Sequence, residues 1–256
     1  MAGEQVEMRE MLYGRQPVRE TLRARRRQAF KLLLARGVQL TGVVGEILAM
    51  ARQAHVPVQE VARQELDKLG SELHHQGIAA EVSGYPYVDL VALLDTARQA
   101  GEQPFLLLLD HVLDPQNLGS LLRSAEAAGV HGVVIPVRRA TAVTPAAVRA
   151  SAGAAEHLRV AQVANLVQAM AGLKARGVWL AGLEALPEAQ LYTQPDLRGA
   201  LGLVVGSESQ GLARLVRERC DWLIRLPMHG QVGSLNAAVA GAIAVYEVRR
   251  QRMRSG

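Results

Sequence analysis

The run Phe105-Leu-Leu-Leu-Leu-Asp110 decides the fold, because five apolar residues follow one another and end on a carboxylate. A strand with one face in water alternates apolar and polar residues. An unbroken apolar run of this length is instead typical of a strand buried on both faces. Leu201-Gly-Leu-Val-Val205 shows the same pattern further along the chain. Together the two runs predict the centre of a mainly parallel sheet.

Candidate strands and helices alternate around these two runs. Further strands are predicted at residues 132–137, 178–183 and 222–226. One helix is predicted to follow the segment Asp114-Pro-Gln-Asn-Leu and to run to Ala128, and others are predicted at residues 144–151, 166–176, 212–219 and 235–252. Thr144 followed by Pro145 is a typical helix start, and Gly129 and Gly177 are typical helix ends. Regular alternation predicts an α/β domain whose sheet is covered on both faces.

Polar segments follow three of the predicted strands. The first is Asp114-Pro-Gln-Asn117, with Arg123 further along the helix, and the second is Gly206-Ser-Glu208-Ser-Gln-Gly211. Ligands of parallel sheets gather at the carboxyl ends of the strands. We therefore expect these segments to share one site.

The third segment is Ile224-Arg-Leu-Pro-Met-His-Gly-Gln-Val-Gly-Ser-Leu-Asn236, where a strand passes through a loop into a helix. Its proline and two glycines break regular structure and let bare backbone approach a ligand. Ser234 is a favourable N-cap residue, so the loop should end on the positive end of a helix. This pattern predicts a pocket that holds its ligand mainly through main-chain groups.

Each polar residue also has an ordinary structural interpretation. Asn117 could cap a helix, Glu208 could be an acid in a first helical turn, and Arg123 could be a surface arginine. Taken singly, each ordinary role is the more common one. Three such residues, each after a strand, favour a shared functional site.

Other common sites are excluded by spacing. The chain lacks Gly-x-Gly-x-x-Gly, and the glycines at 206 and 211 lack the Lys-Ser/Thr of a phosphate-binding loop. With one cysteine and dispersed histidines, no metal site is expected. His111 and His229 lie near the predicted loops, but an unpaired histidine is a weak signal of catalysis.

The first part of the chain predicts a separate, basic α/β domain. Strands are predicted at residues 30–35, 56–58 and 78–82, and helices at 17–26, 42–54 and 61–69. The expected limits are 1–82 for this domain, 83–103 for a linker with a helix at 89–101, and 104–256 for the sheet domain. Charge runs are usually solvated helix faces, yet arginine suits phosphate contacts. The candidate RNA-binding arginines are Arg15, Arg19, Arg23, Arg25, Arg26 and Arg27.

Composition limits the class of protein. The chain has 256 residues, of which 49% are hydrophobic, and a net charge of +5, which favours a polyanionic partner such as nucleic acid. Aromatic residues make up 4%, so base stacking on an aromatic platform is not expected. The single cysteine, Cys220, fits a reducing compartment. Neither a membrane span nor a signal pattern is found, so a cytoplasmic protein is expected.

The three segments resemble the three motifs of the SpoU (TrmH-type) RNA ribose 2′-O-methyltransferases of the SPOUT superfamily. The matching residues are 114–129, 203–212 and 224–247, within a resemblance that spans 104–252. Tyr13-Gly-Arg-Gln-Pro-Val-Arg-Glu-Thr-Leu22 is similar to the start of the RlmB-like branch, whose N-terminal RNA-binding domain is similar to small ribosomal proteins. Ser209 stands where many members have glycine, and Ala237-Ala238 where a more polar pair is common.

The resemblance implies S-adenosylmethionine as methyl donor, a deep trefoil knot in the sheet domain and a homodimer. It places five residues at the cofactor pocket: Gly206, Leu226, Met228, Gly230 and Leu235. It assigns the catalytic and RNA-facing roles to Asn117, Arg123, Glu208, Ser234 and Asn236. The implied substrate is a guanosine in large-subunit (23S) ribosomal RNA. The alternatives are a transfer RNA ribose, or a non-catalytic ribosomal RNA-binding assembly factor with a relict cofactor pocket.

Family proposals make Arg123 the base that removes the 2′-hydroxyl proton. A guanidinium is effectively never deprotonated in proteins. We therefore expect Arg123 to bind a phosphate as a cation and to stabilise developing alkoxide charge. Glu208 and Asn117 are then expected to orient Arg123 and the ribose.

Overall fold

The chain divides into two compact units in the computed structural model, which describes residues 8–68, 75–208 and 210–253. One unit comprises the described residues of Met1–Pro86 together with Val143–His157. The other comprises Tyr87–Ala142 and the described residues of Leu158–Gly256. The limits expected at residues 82 and 104 cut the chain once, whereas here a later segment returns to the first unit.

The first unit is built on a four-stranded mixed sheet in the order β1-β4-β2-β3. Strand β4 is antiparallel to both of its neighbours, and β2 is parallel to β3. The strands are β1 (Arg9–Tyr13), β2 (Ala29–Ala35), β3 (Val58–Val61) and β4 (Ile78–Ser83). The helices are α1 (Arg15–Ala24), α2 (Val43–Gln53), α3 (Arg63–Asp67) and, from the returning segment, α6 (Pro145–Ala150), followed by a 3-10 turn at Ala154–His157.

Several sequence expectations change in this unit. Strand β1 escaped prediction because only its last two residues are buried, so its apolar pattern is short. The strand expected at 56–58 begins at Val58 and includes Val61, so the helix expected from Val61 begins at Arg63. Leu69, its expected end, lies outside the described residues. Helix α1 ends before Arg25, which adopts a left-handed conformation (φ 53°).

The second unit contains a seven-stranded sheet in which every described pair is parallel, in the order β7-β6-β5-β10-β8-β11-β9. The strands are β5 (Phe105–Leu109), β6 (Gly132–Pro136), β7 (Val160–Val163), β8 (Trp179–Leu183), β9 (Gln190–Leu191), β10 (Leu201–Val205) and β11 (Trp222–Arg225). The helices are α4 (Leu90–Gln99), α5 (Pro115–Ala127), α7 (Leu166–Lys174), α8 (Arg214–Arg217) and α9 (Ala237–Met253).

The two apolar runs lie side by side at the centre of this sheet, as predicted, and every residue of β5 and β10 is buried. Leu106 and Leu108 face one core cluster with residues of α4 and α7. The residues expected to form a linking helix therefore pack on the sheet as α4. On the other face, Gly241 of α9 lies against Leu121 of α5 and Val205. The trefoil knot implied by the resemblance stays a prediction.

Candidate active site

The carboxyl ends of β5 and β10 open onto the site, and α5 and α9 both begin there. Asp114 caps α5 by accepting hydrogen bonds from the backbone N–H groups of Gln116 (3.1 Å) and Asn117 (3.3 Å). Pro115 occupies the first helical position, where a missing N–H costs nothing. Because Asp114 provides the cap, the Asn117 side chain is free to reach across to the next strand.

Asn117 and Asn236 both converge on Glu208. The Asn117 Nδ2 donates to Glu208 Oε1 at 3.1 Å, and the Asn236 Nδ2 donates to Asn117 Oδ1 at 2.9 Å and also contacts Glu208 Oε1. The backbone N–H of Ala237 donates to the same Glu208 oxygen at 3.3 Å. One carboxylate therefore joins all three polar segments at the positive end of α9.

Asn236, rather than Ser234, caps helix α9. Its Oδ1 accepts hydrogen bonds from the backbone N–H groups of Ala238 (3.0 Å) and Val239 (3.2 Å). The expectation that Ser234 is the N-cap is wrong, because the chain enters the helix at Ala237. Ser234 is exposed and lines the cavity described next.

A cavity of about 300 Å³ lies beside Glu208, entirely within the second unit. Its wall includes four residues expected at a cofactor pocket, namely Gly206, Leu226, Met228 and Leu235. Ser234 and Glu208 also line it, whereas Gly230 is not among its lining residues. The loop that carries Leu226, Met228, Ser234 and Leu235 therefore borders a cavity, and the expectation that it holds a ligand mainly through main-chain groups stays a prediction.

Glu184 lines the cavity where β8 ends and was not among the predicted site residues. Its Oε1 accepts a hydrogen bond from the Leu212 N–H at 2.9 Å. Position alone could have revealed it, because β8 is a parallel neighbour of β10 and Glu184 follows its last residue. Arg217 of α8 is a second missed lining residue.

Gly206 and Gly211 allow the second polar segment to close on itself. Ser207 and Gly211 exchange two backbone hydrogen bonds of 3.2 and 3.0 Å. A Cβ on Gly206 would collide with the Gly211 backbone, and Gly211 has a φ of +64°. The sharp turn, which only glycine permits at both places, sets Glu208 beside the cavity.

Arg123 does not join the cluster around Glu208. It is exposed on α5, and no hydrogen bond or ion pair among the described residues involves it. Six residues separate it from Asn117, which corresponds to about 9 Å along the helix and about 120° around it. Among the described residues Glu208 and Asn117 are bonded to each other and to Asn236 rather than to Arg123, so the expectation that they orient Arg123 stays a prediction.

Arg27 is a structural residue of the first unit. Its side chain is 0% exposed, and its Nε donates to Glu156 Oε2 at 3.1 Å, while Nη1 lies 2.6 Å from Glu10 Oε2. Burial raises the pKa of the Glu156 carboxyl despite the attraction of Arg27. Arg26 donates to the backbone oxygens of Glu156 and Pro86. Arg27 therefore cannot bind RNA as expected, and Arg26 is committed within the protein.

The other four arginines differ in availability. Arg19 lies 2.8 Å from a carboxylate oxygen of Glu20 and is mostly buried. Arg15, Arg23 and Arg25 are exposed, although Arg15 donates to the Gln76 backbone oxygen and Arg23 lies 3.5 Å from Glu20. The RNA-binding expectation is thus left with three exposed arginines.

The two histidines near the site have ordinary surroundings. His111 Nδ1 lies 2.5 Å from Asp110 Oδ1, and the buried Asp110 also accepts a hydrogen bond from the Ala213 N–H at 2.7 Å. His229 is exposed. Within the described ranges, no three His, Cys, Asp or Glu side chains are grouped so that they could hold a metal ion.

Family comparisons identify both parts of the chain. Residues 104–246 match the SpoU rRNA Methylase family, and residues 11–88 match the RNA 2′-O ribose methyltransferase substrate binding domain. A Bacillus subtilis protein assigned to the TrmH family of tRNA/rRNA methyltransferases, YacO, is 42% identical over 239 residues, covering 93% of this chain and 94% of its own. A tRNA/rRNA methyltransferase of Synechocystis is 44% identical over 195 residues, covering 76% of this chain and 50% of its own.

Solved structures agree with these matches. The SpoU methyltransferase AviRb from Streptomyces viridochromogenes, in complex with S-adenosylmethionine, has a TM-score of 0.80 and 27% identity over 97% of this chain and 92% of its own. The S-adenosylmethionine-bound rRNA methyltransferase of Sinorhizobium meliloti has a TM-score of 0.77 and 25% identity, and the match covers 94% of this chain and 87% of its own. No helix in the described part of the chain combines the length and apolar character needed to cross a membrane. The chain therefore belongs to the SpoU/TrmH family of RNA 2′-O-methyltransferases and has the RlmB-like arrangement with an N-terminal substrate-binding domain.

Proposed function

We propose that this protein methylates the ribose 2′-hydroxyl of an RNA nucleotide, with S-adenosylmethionine as the donor. The observation that carries this proposal is the cavity at Gly206, which opens beside the Asn117–Glu208–Asn236 cluster. The bound donor supplies a methyl group that is already activated by the positive charge of its sulfonium. The chain's own residues must hold that methyl group in line with the ribose oxygen.

The cavity residues fit such a donor. Leu226, Met228 and Leu235 provide apolar surface, and the turn at Gly206 brings backbone close to the ligand. Glu184 and Glu208 outnumber Arg217 among the charged residues of the wall, and this balance favours a cationic ligand. Isothermal titration calorimetry with S-adenosylmethionine tests this step. The absence of binding would support the non-catalytic assembly factor instead.

We assign Arg123 the role of a cation that binds an RNA phosphate and stabilises developing charge on the ribose oxygen. It is exposed and unpaired among the described residues, so its five N–H donors are available. Methyl transfer should fall about a hundredfold in Arg123→Ala, while S-adenosylmethionine affinity stays unchanged. If Arg123→Lys restores near-normal turnover, a specific guanidinium role is wrong.

Asn117, Glu208 and Asn236 fix one another and position the ribose. The Glu208 carboxylate is held by two side-chain amides and the start of α9, so it acts as an acceptor with a fixed direction. Ser234 lies at the cavity wall, where its hydroxyl can bind the donor or the ribose.

We propose a guanosine in large-subunit ribosomal RNA as the substrate. The substrate-binding domain match and the RlmB-like residues Tyr13–Leu22 support this choice. Transfer RNA is the alternative, since the relatives are described as tRNA/rRNA methyltransferases. Mapping ribose methylation in cytoplasmic RNA from a deletion strain decides between them, because the lost position identifies the substrate.

The exposed arginines of the first unit would add RNA affinity through phosphate contacts. A variant with Arg15, Arg23 and Arg25 changed to Ala should bind RNA more weakly and show a smaller dependence of affinity on salt. An unchanged salt dependence would remove the first unit's arginines from RNA binding.

We further propose that the protein is a homodimer that uses helix α9. Val239, Ile243 and Tyr246 recur at helical spacing and are 48%, 39% and 50% exposed, which leaves an apolar stripe uncovered in one chain. Analytical ultracentrifugation should show a dimer for the wild type and a monomer for Ile243→Asp. A monomeric wild type would contradict the proposal.

A further inference from the structure

A second group of exposed arginines lies in the loop that follows β6. Arg138 and Arg139 are both exposed. No hydrogen bond or ion pair among the described residues involves either side chain. Both belong to the second unit, whereas most arginines of the basic N-terminal run are held by carboxylates or carbonyl oxygens.

The sheet order brings this loop to the candidate active site. Strand β6 is the parallel neighbour of β5, so the loop after β6 leaves the same edge as the segment that carries Asn117. The Thr141 N–H donates to the Val112 backbone oxygen at 2.9 Å, which joins the two loops directly. Arg138 and Arg139 therefore lie at the carboxyl edge next to the segment that enters α5.

The backbone of this loop holds an unfavourable conformation. Arg139 has a φ of +59°, in the left-handed region that a residue with a Cβ rarely adopts. Conformations of this kind persist where the surrounding structure imposes them, and they concentrate at binding and catalytic sites. Two backbone hydrogen bonds of 2.9 Å anchor the loop here, one from the Val137 N–H to the Val163 oxygen and one from the Thr141 N–H to the Val112 oxygen.

The charges of the loop after β6 favour an anion. The acidic groups nearby are already engaged: Asp110 by His111 and Ala213, Asp114 by the start of α5, and Glu208 by Asn117 and Asn236. The two guanidiniums are left without a counter-ion among the described residues. A planar guanidinium fork matches the oxygens of a phosphate diester.

We infer that Arg138 and Arg139 form an RNA phosphate-binding site, which holds the strand beside the nucleotide that is methylated. The inference rests on the proposed function. On this inference, part of the RNA is bound by the second unit itself, in addition to the arginines of the N-terminal run. Arg138 and Arg139 are binding residues here and take no part in the transfer step.

The test compares three variants of the full-length protein with unmodified large-subunit ribosomal RNA transcript as the probe. Arg138→Ala/Arg139→Ala removes the two guanidiniums. Arg138→Lys/Arg139→Lys keeps both positive charges but removes the planar set of guanidinium donors. Arg98→Ala/Arg198→Ala is the matched control. It also removes two exposed arginines from the second unit, each of which forms an ion pair with a surface aspartate.

The alanine pair should raise the KM for RNA about 10- to 100-fold, leave kcat within about twofold and leave S-adenosylmethionine affinity unchanged. The slope of log affinity against log salt should fall by about 1.4 to 1.8, the amount expected for two lost phosphate contacts. The lysine pair should keep most of the salt slope, and the control should match the wild type.

Three results would overturn parts of the reasoning. If the wild type methylates RNA and the alanine pair matches it in KM and salt slope, this inference fails and the proposed function stands. An equal loss in the Arg98/Arg198 control also overturns it, because general charge attraction then explains the effect. If the wild type binds S-adenosylmethionine but methylates neither ribosomal nor transfer RNA transcripts, the proposed function itself fails.

Discussion

Replacing Arg27 by Met tests whether this arginine stabilises the fold or binds RNA. The Arg27 side chain is 0% exposed and that of Glu156 is 1% exposed, so the variant leaves a buried carboxylate without its partner. Breaking a buried ion pair in this way costs about 3–5 kcal/mol of unfolding free energy. Arg25→Met is the matched control, since Arg25 is exposed and no ion pair among the described residues involves it. Its stability should stay within about 0.5 kcal/mol of the wild type.

The loss of unfolding free energy in Arg27→Met should be larger at high pH than at low pH. Burial raises the pKa of Glu156 and Arg27 lowers it, so in Arg27→Met that pKa should rise further and the folded state should hold a proton over a wider pH range than the unfolded state. Stability that comes from this proton is present at low pH and is lost as pH rises through the folded-state pKa. Arg27→Met should therefore lose more stability at pH 8 than at pH 5, because only at low pH is the stranded carboxyl neutral.

Urea unfolding followed by circular dichroism at both pH values measures these costs. The double variant Arg27→Met/Glu156→Leu should recover most of the loss, because well-packed apolar residues can replace a buried pair. Unchanged stability in Arg27→Met, together with a smaller salt dependence of RNA binding, would refute the structural role and restore Arg27 as a phosphate ligand.

Three further predictions concern the second unit. Burial raises the pKa of Cys220 to about 12, so its thiol should react with a maleimide at pH 8 about a hundred- to a thousandfold more slowly than in the unfolded chain; equal rates would show an accessible thiolate. Gly206→Ala should abolish S-adenosylmethionine binding in calorimetry, whereas Gly199→Ala, which has open space around it, should not. Asn236→Asp should keep the cap of α9 and thermal stability within a few degrees, yet lose methyl transfer, because a second carboxylate then faces Glu208; full activity would make the cluster purely structural.

The sheet of the second unit could be predicted because its signal is local. Buried parallel strands such as β5 and β10 are apolar throughout, and turn and cap residues mark the helices between them. Strand β9 has only two residues, and the four residues of β7 include a polar glutamine and are only partly buried at the end of the strand, so neither shows an unbroken apolar run. The capping of α9 could not be decided, because Ser234 and Asn236 are both favourable cap residues and only the path of the chain selects one.

The roles of the N-terminal arginines could not be predicted, because they depend on contacts with residues that are distant in sequence. Charge density predicted phosphate contacts for Arg27, but its partner Glu156 lies 129 residues away in sequence. Nothing in the run indicates that a segment from the middle of the chain returns to the first unit. In contrast, Asn117 and Glu208 could be grouped in advance, because both follow central parallel strands whose carboxyl ends meet at one edge.

Methyl transfer from tritiated S-adenosylmethionine to unmodified RNA, with nucleoside analysis of the product, tests the central claim most directly. We predict that the wild type labels RNA at a single ribose 2′-oxygen and that Arg123→Ala loses about a hundredfold in rate with donor affinity intact. Label on a base atom, or no label on ribosomal and transfer RNA from a wild type that binds both donor and RNA, would contradict the account.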